Sequence, residues 1–164
     1  MSLVEIMAAN PGAVIETVAK EHGATARQVV EALPVSMRRF APGSYFAELM
    51  NAISQWGNVT LIVNSDDGIF EFTGPVAAGQ VSRGYYNVMA RTGFHGHLQH
   101  ERCSGIAFVE RPFMKRSSAF AAFFNPEDGI MFKVFLGRDA DGNLLDDQLA
   151  LFRAAGERMC SQPA

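Results

Sequence analysis

Three of the four histidines, His95, His97 and His100, fall within six residues, in the run Gly93-Phe94-His95-Gly96-His97-Leu98-Gln99-His100-Glu101. The fourth, His22, lies far upstream. Imidazole is a common metal ligand and titrates near neutral pH, so the chemistry of the chain is expected in this run. If Phe94–Gln99 is a strand, alternation puts His95, His97 and Gln99 on one face and His100 on the other. A closed zinc site needs three or four convergent ligands. This run supplies two, with Glu101 nearby and no local Cys or Asp to complete the set. Gly96, between the two same-face histidines, marks a close backbone approach or a bulge. A half-exposed strand with incidental histidines accounts for the same residues.

A haem site asks for less protein ligation: one axial donor, an apolar slot and basic partners for the propionates. His97 is the candidate donor and metal ligand. Tyr85, Tyr86 and Met89 lie on the preceding strand and can reach the same face. Phe70, Phe72, Phe94, Phe132 and Phe135 are candidate walls, and Arg83, Arg91, Lys133 and Arg138 are candidate propionate partners. The competing reading places the aromatics in the core and the basic residues at a solvated sheet edge. Hydrolytic chemistry has little support. No Gly-x-Ser-x-Gly elbow, phosphate-binding loop or His-Glu-x-x-His occurs. Cys103 reads as a buried strand thiol, and Asp66-Asp67 and Asp139-Ala140-Asp141-Gly142 read as turns.

The elements that must position these residues are legible from periodicity. Leu3–Asn10 reads as a short helix closed by Pro11-Gly12. Val14, Ile15, Val18 and Ala19 make a second helix ending at Gly23, and Thr25 caps a third carrying Val29, Val30 and Leu33. This helix-turn-helix outline resembles a DNA-reading hairpin, but its second helix offers only Arg27 and Gln28 beside Glu31, so packing on a sheet is preferred. Val35 to Pro42 reads as a loop, and Gly43 to Gln55 as an amphipathic helix. From Trp56 the period becomes two. Val59 to Val63 and Ile69 to Thr73 form a hairpin across Asp66-Asp67-Gly68. Strands follow at Tyr85–Ala90, Phe94–Gln99, Gly105–Glu110, Ser118–Phe124 and Ile130–Leu136, then a helix from about Asn143 to Met159. The expectation is one α+β domain over 1–164: a helical part to about 55, then a meandering antiparallel sheet and a closing C-terminal helix.

Composition bounds the function. The chain has 164 residues, 48% of them hydrophobic and 19% charged, with net charge −3. That is a globular composition and argues against binding nucleic acid through a basic surface. Two cysteines without metal or redox spacing fit a reducing compartment. No basic leader or membrane-length apolar run is present, so the expected location is cytoplasmic, without a membrane partner.

Several stretches carry a family resemblance. Gln55-Trp56-Gly57-Asn58-Val59-Thr60, Gly84-Tyr85-Tyr86-Asn87 and Gly96-His97-Leu98 ahead of Cys103 resemble the HutX/ChuX family of bacterial haem-utilisation carriers. So do Val109-Glu110-Arg111-Pro112-Phe113-Met114, Lys133-Val134-Phe135-Leu136-Gly137-Arg138-Asp139 and the N-terminal Glu31-Ala32-Leu33-Pro34. The resemblance implies a homodimer whose subunit is like one half of HemS/ChuS-type haem proteins. It implies haem as the bound cofactor, held reversibly at the sheet for storage, trafficking or delivery to a haem-accepting enzyme. His97 matches a family histidine, while Asn64 stands where a family member has a second. An amide is a poor iron ligand, which leaves five-coordinate, water-bound or Tyr-assisted haem open. The resulting set is His97 with His95, Tyr85, Tyr86, Met89, Arg91, Lys133 and Arg138. The alternatives are a haem-degrading or haem-reducing enzyme, and a haem-responsive regulator using the N-terminal hairpin.

Overall fold

The computed structural model describes residues 1–160. The helices are α1 (Leu3–Ala9), α2 (Ile15–Glu21), α3 (Ala26–Glu31), α4 (Phe46–Ile53) and α5 (Asp146–Met159). The strands are β1 (Arg38–Pro42), β2 (Asn58–Ser65), β3 (Gly68–Pro75), β4 (Gly79–Ser82), β5 (Tyr85–Val88), β6 (Gly96–Leu98), β7 (Gly105–Phe113), β8 (Arg116–Phe124) and β9 (Ile130–Leu136). The fold is α+β, with N-terminal helices, antiparallel sheets and a C-terminal helix.

One meandering sheet was expected; two are formed. Six strands run in the order β1-β7-β8-β9-β2-β3, and β4-β5-β6 make a separate small sheet. The residues from Val35 to Pro42, expected as a loop, contain β1, which pairs antiparallel with β7 from Arg38↔Val109 to Pro42↔Gly105. Its partner lies about seventy positions away, and its own alternation is short, so no local pattern announces it. Pro42, lacking an amide hydrogen, closes this edge strand at its end. The expected strand Phe94–Gln99 contracts to Gly96–Leu98.

The centre of the large sheet is covered on both faces, which explains why β8 reads as a continuous apolar run from Ala119 to Phe124, all buried. On one face Ala107, Val109, Phe120, Ala122 and Phe124 meet Val18, Ala19, Val29 and Val30 of α2 and α3. On the other, Ile106, Phe108, Phe123, Phe132 and Val134 meet α4, α5, Trp56 and the inner face of the small sheet. The hairpin therefore packs on the sheet. Arg27 is taken by Glu31 at 3.1 Å and lies over the Phe124 ring, and Gln28 closes a capping box with Thr25. Gln148 of α5 is 3% exposed and fastens the helix to the sheet. Its Nε2 donates to Trp56 O and Asn58 O at 2.9 and 2.6 Å, and its Oε1 accepts from Gly137 N at 2.7 Å. No helix among the described residues is long and apolar enough to cross a membrane.

Candidate functional site

Strand alternation in the small sheet sorts the candidate residues by face. The register Ser82↔Tyr85, Gln80↔Asn87 and Asn87↔His97 puts these side chains on the outer face. Tyr86, Val88 and Leu98 point inward. Tyr86 was expected near the haem with Tyr85; it is instead fully buried in the core. Its hydroxyl donates to Asn51 Oδ1 at 3.2 Å and accepts from Gly79 N at 3.0 Å, and burial raises its pKa. A Cβ at Gly79 would come within 2.5 Å of Asn87 O and 2.6 Å of the Tyr86 ring, so only glycine lets β4 lie this close.

Ser82, Arg83, Tyr85, Asn87 and His97 line an open concavity of about 610 Å³, within the usual size of small-molecule sites. The edge of Tyr85 meets the imidazole of His97, with ring centroids 6.0 Å apart and planes at 67°. Asn87 and His97 form a 2.6 Å bond between Oδ1 and Nδ1. Beside it, Met89, 74% exposed, lines a second concavity that shares Ser82 and Asn87. Arg83 and Gly84 both have positive φ, 55° and 82°, in the two-residue turn joining β4 to β5. Such a turn favours Asn, Asp or Gly at its first position. An arginine there carries backbone strain and places a guanidinium at the rim of the concavity.

The other candidates are elsewhere. His95 is exposed, and its Nδ1 lies 3.0 Å from Gly93 O. His100 is half-buried against Phe46, with ring centroids 6.4 Å apart. Among the described residues no three His, Cys, Asp or Glu side chains converge on a metal position, so the histidine run does not make a chelating cluster. Arg91 is exposed, outside the group lining the His97 concavity. Lys133 is on the far face of the large sheet, 7% exposed, bonded to Glu16 at 2.7 Å and close to the Phe120 and Phe135 rings. Arg138 donates to Gly142 O at 2.9 Å and, with Lys133 and Asn64, lines a cleft on that face. Asn64 and His97 thus belong to different surfaces of one chain. Phe132 stacks on Phe123 in the core, Phe135 packs on Phe120, and Phe72 meets Phe94; Phe70 is exposed. Cys103 is buried and its thiol is pushed up to about 11, far from a reactive thiolate.

Sequence reasoning missed Asn87 as a site residue. Its presence beside Tyr85 and Tyr86 in a strand, where asparagine is disfavoured, was the available signal.

Comparison with known proteins defines the class: small proteins of haem utilisation. The sequence profile described as haem utilisation ChuX/HutX matches residues 39–155. The intracellular heme transport protein HutX of Vibrio cholerae is 36% identical over 153 residues, 93% of this chain and 79% of HutX. A crystal structure from Erwinia carotovora superposes with TM-score 0.92 at 38% identity, covering 97% of this chain and 99% of that one. The heme-binding protein ChuX does so with TM-score 0.87 at 36% identity, covering 96% and 98%. The chain belongs to the haem utilisation ChuX/HutX family. The fold alone is shared with the larger ChuS of Escherichia coli O157:H7, of which this chain covers 48% at 15% identity and TM-score 0.78.

Proposed function

We propose that this chain is an intracellular haem carrier that binds haem reversibly for storage, trafficking or delivery, with His97 as the iron ligand. One observation carries the assignment of the ligand. The His97 imidazole is exposed beside a concavity, its Nδ1 is engaged by Asn87, and Nε2 is the ring's remaining donor. Family membership and the names of HutX and ChuX support haem as cargo.

The residues fit that cargo. A neutral imidazole supplies the axial donor, Tyr85 and Met89 offer apolar surface, and Arg83 is a cation at the rim. Arg91 and His95 lie outside the group lining the concavity and are proposed only as secondary contacts. Lys133 and Arg138 would meet haem only as part of the far-face cleft. An open site suits a carrier, because cargo held by one exchangeable ligand can leave. It also suits a homodimer in which a second copy shields the other side of the macrocycle. The chain acts as one unit, with a haem-accepting enzyme as downstream partner, and is not itself an enzyme.

Hemin titration tests this. The wild-type protein is expected to show a saturable Soret shift at one haem per chain, stable under a mild reductant. His97→Ala should bind at least about 100-fold more weakly, or about 2.7 kcal/mol. Wild-type affinity in that variant would move the ligand elsewhere, and loss of the Soret band under reductant would favour an enzyme.

A further inference from the structure

We infer that Asn87 is a positioning residue: it holds the His97 ring in the Nδ1–H tautomer, so that Nε2 presents a lone pair before any iron arrives. The inference rests on His97 being the ligand, and it concerns how the apo protein prepares that ligand.

The orientation of the Asn87 amide follows from its surroundings. One terminal atom lies 3.2 Å from Gln80 O, 3.1 Å from Ser82 O and 3.4 Å from Tyr85 O. All three are carbonyl oxygens, which only accept, so that atom is the NH₂ nitrogen. A flipped amide would set an oxygen against three oxygens. The other terminal atom is therefore Oδ1, an acceptor, and it lies 2.6 Å from His97 Nδ1. That nitrogen must donate, and it carries the ring proton. In neutral imidazole the second nitrogen is then unprotonated. Neutral imidazole in water favours the proton on Nε2, so Asn87 reverses the intrinsic preference.

The device belongs to the small sheet. Gln80, Ser82 and Tyr85 bracket the β4–β5 turn, so the amide is clamped by the hairpin whose strained corner is Arg83. Asn87 and His97 are directly paired in the β5–β6 register, which brings the two side chains together on one face. Outer partners of this kind fix the orientation of metal-binding histidines. The clamp is built from strand backbone, so the ring is oriented without any contact from cargo.

Long-range ¹H–¹⁵N correlation spectra of the histidine rings in apo protein, at about pH 8.5 where ordinary imidazoles are neutral, read the tautomer directly. Wild-type His97 is expected as Nδ1–H with unprotonated Nε2. Asn87→Leu should shift it to mainly Nε2–H. His95, whose Nδ1 is bound by a backbone carbonyl, is the internal control and should not change. Hemin affinity should fall about tenfold in Asn87→Leu. A wild-type Nε2–H signal overturns the inference, as does an unchanged His97 spectrum in Asn87→Leu. The wild-type spectrum decides the tautomer even if Asn87→Leu does not fold. Failure of the ligand assignment looks different: His97→Ala would then bind hemin normally, whatever the tautomer.

Discussion

Lys133 and His97 carry similar credentials in the sequence, as polar residues on strands flanked by apolar ones, yet they are used in opposite ways. Lys133 lies on a strand buried on both faces, between Phe132 and Val134, and its ammonium is paired with Glu16 under α2. Nearby Arg111 is 5% exposed, donates to Pro11 O and Ala13 O at 2.9 and 2.7 Å, and is pulled down to about 10, first by burial. These cations anchor the N-terminal helices to the sheet. His97 lies on a three-stranded sheet buried on one face only, and its partner Asn87 orients it without covering it. The difference is one of layers: two-sided burial turns a charge into structure, and one-sided burial leaves a donor free for a ligand.

The sharpest way to break that comparison is Lys133→Ala. It takes from the partly buried Glu16 carboxylate its 2.7 Å partner and leaves Arg111 as the remaining nearby cation, and should cost up to about 3 kcal/mol of stability. Urea denaturation would measure this, with hemin binding by the folded fraction unchanged. If the variant stays stable and binds hemin poorly, the far-face cleft holds the propionates, and the contrast between the two regions fails.

Tyr86→Phe sharpens it from within the small sheet. Tyr85 and Tyr86 are identical in type and adjacent, but only Tyr86 faces the core. Removing its hydroxyl strands the half-buried Gly79 N–H, while exposed Asn51 Oδ1 can turn to solvent, and should cost about 1.5 kcal/mol. The thermal midpoint should drop with little change in hemin affinity. The reverse pattern, affinity lost and stability kept, would mean that Tyr86 swings outward.

Much of this division was legible beforehand. Alternation located β2 and β3, and the apolar runs located β7, β8 and β9, because side-chain periodicity is set locally by which faces are covered. Lys133 does not read this way: the sequence suggests a propionate partner or a solvated sheet edge, whereas it is 7% exposed, because a lone lysine in the apolar run Ile130–Leu136 of a strand covered on both faces has no solvent face to occupy. The strands β1 and β4 were not legible, since each is short and stabilised by pairing with a distant or glycine-opened partner. At the site, His97 stands out by its type and its family resemblance, and it is the proposed ligand. Asn87 does not stand out, because its proposed role depends on three carbonyls that meet only when the β4–β5 hairpin closes. The turn signal Arg83-Gly84 was present, but its strain is a property of the backbone angle at Arg83.

That strained corner gives the smallest expected effect, and one with opposite signs in the two measurements. At φ 55°, Arg83 has its Cβ in the left-handed region that glycine enters without steric cost. Arg83→Gly relieves about 1 kcal/mol or more of strain but frees the unfolded chain, so the net gain in stability should be about 0.5 kcal/mol. The same change removes the cation at the rim of the His97 concavity. An exposed charge pair contributes up to about 1 kcal/mol, so hemin affinity should fall up to about fivefold. Stability rising while affinity falls is the signature of a residue kept for binding at the expense of its turn. If stability falls and affinity holds, Arg83 belongs with Lys133 among the structural cations, and the small sheet presents His97 without electrostatic help.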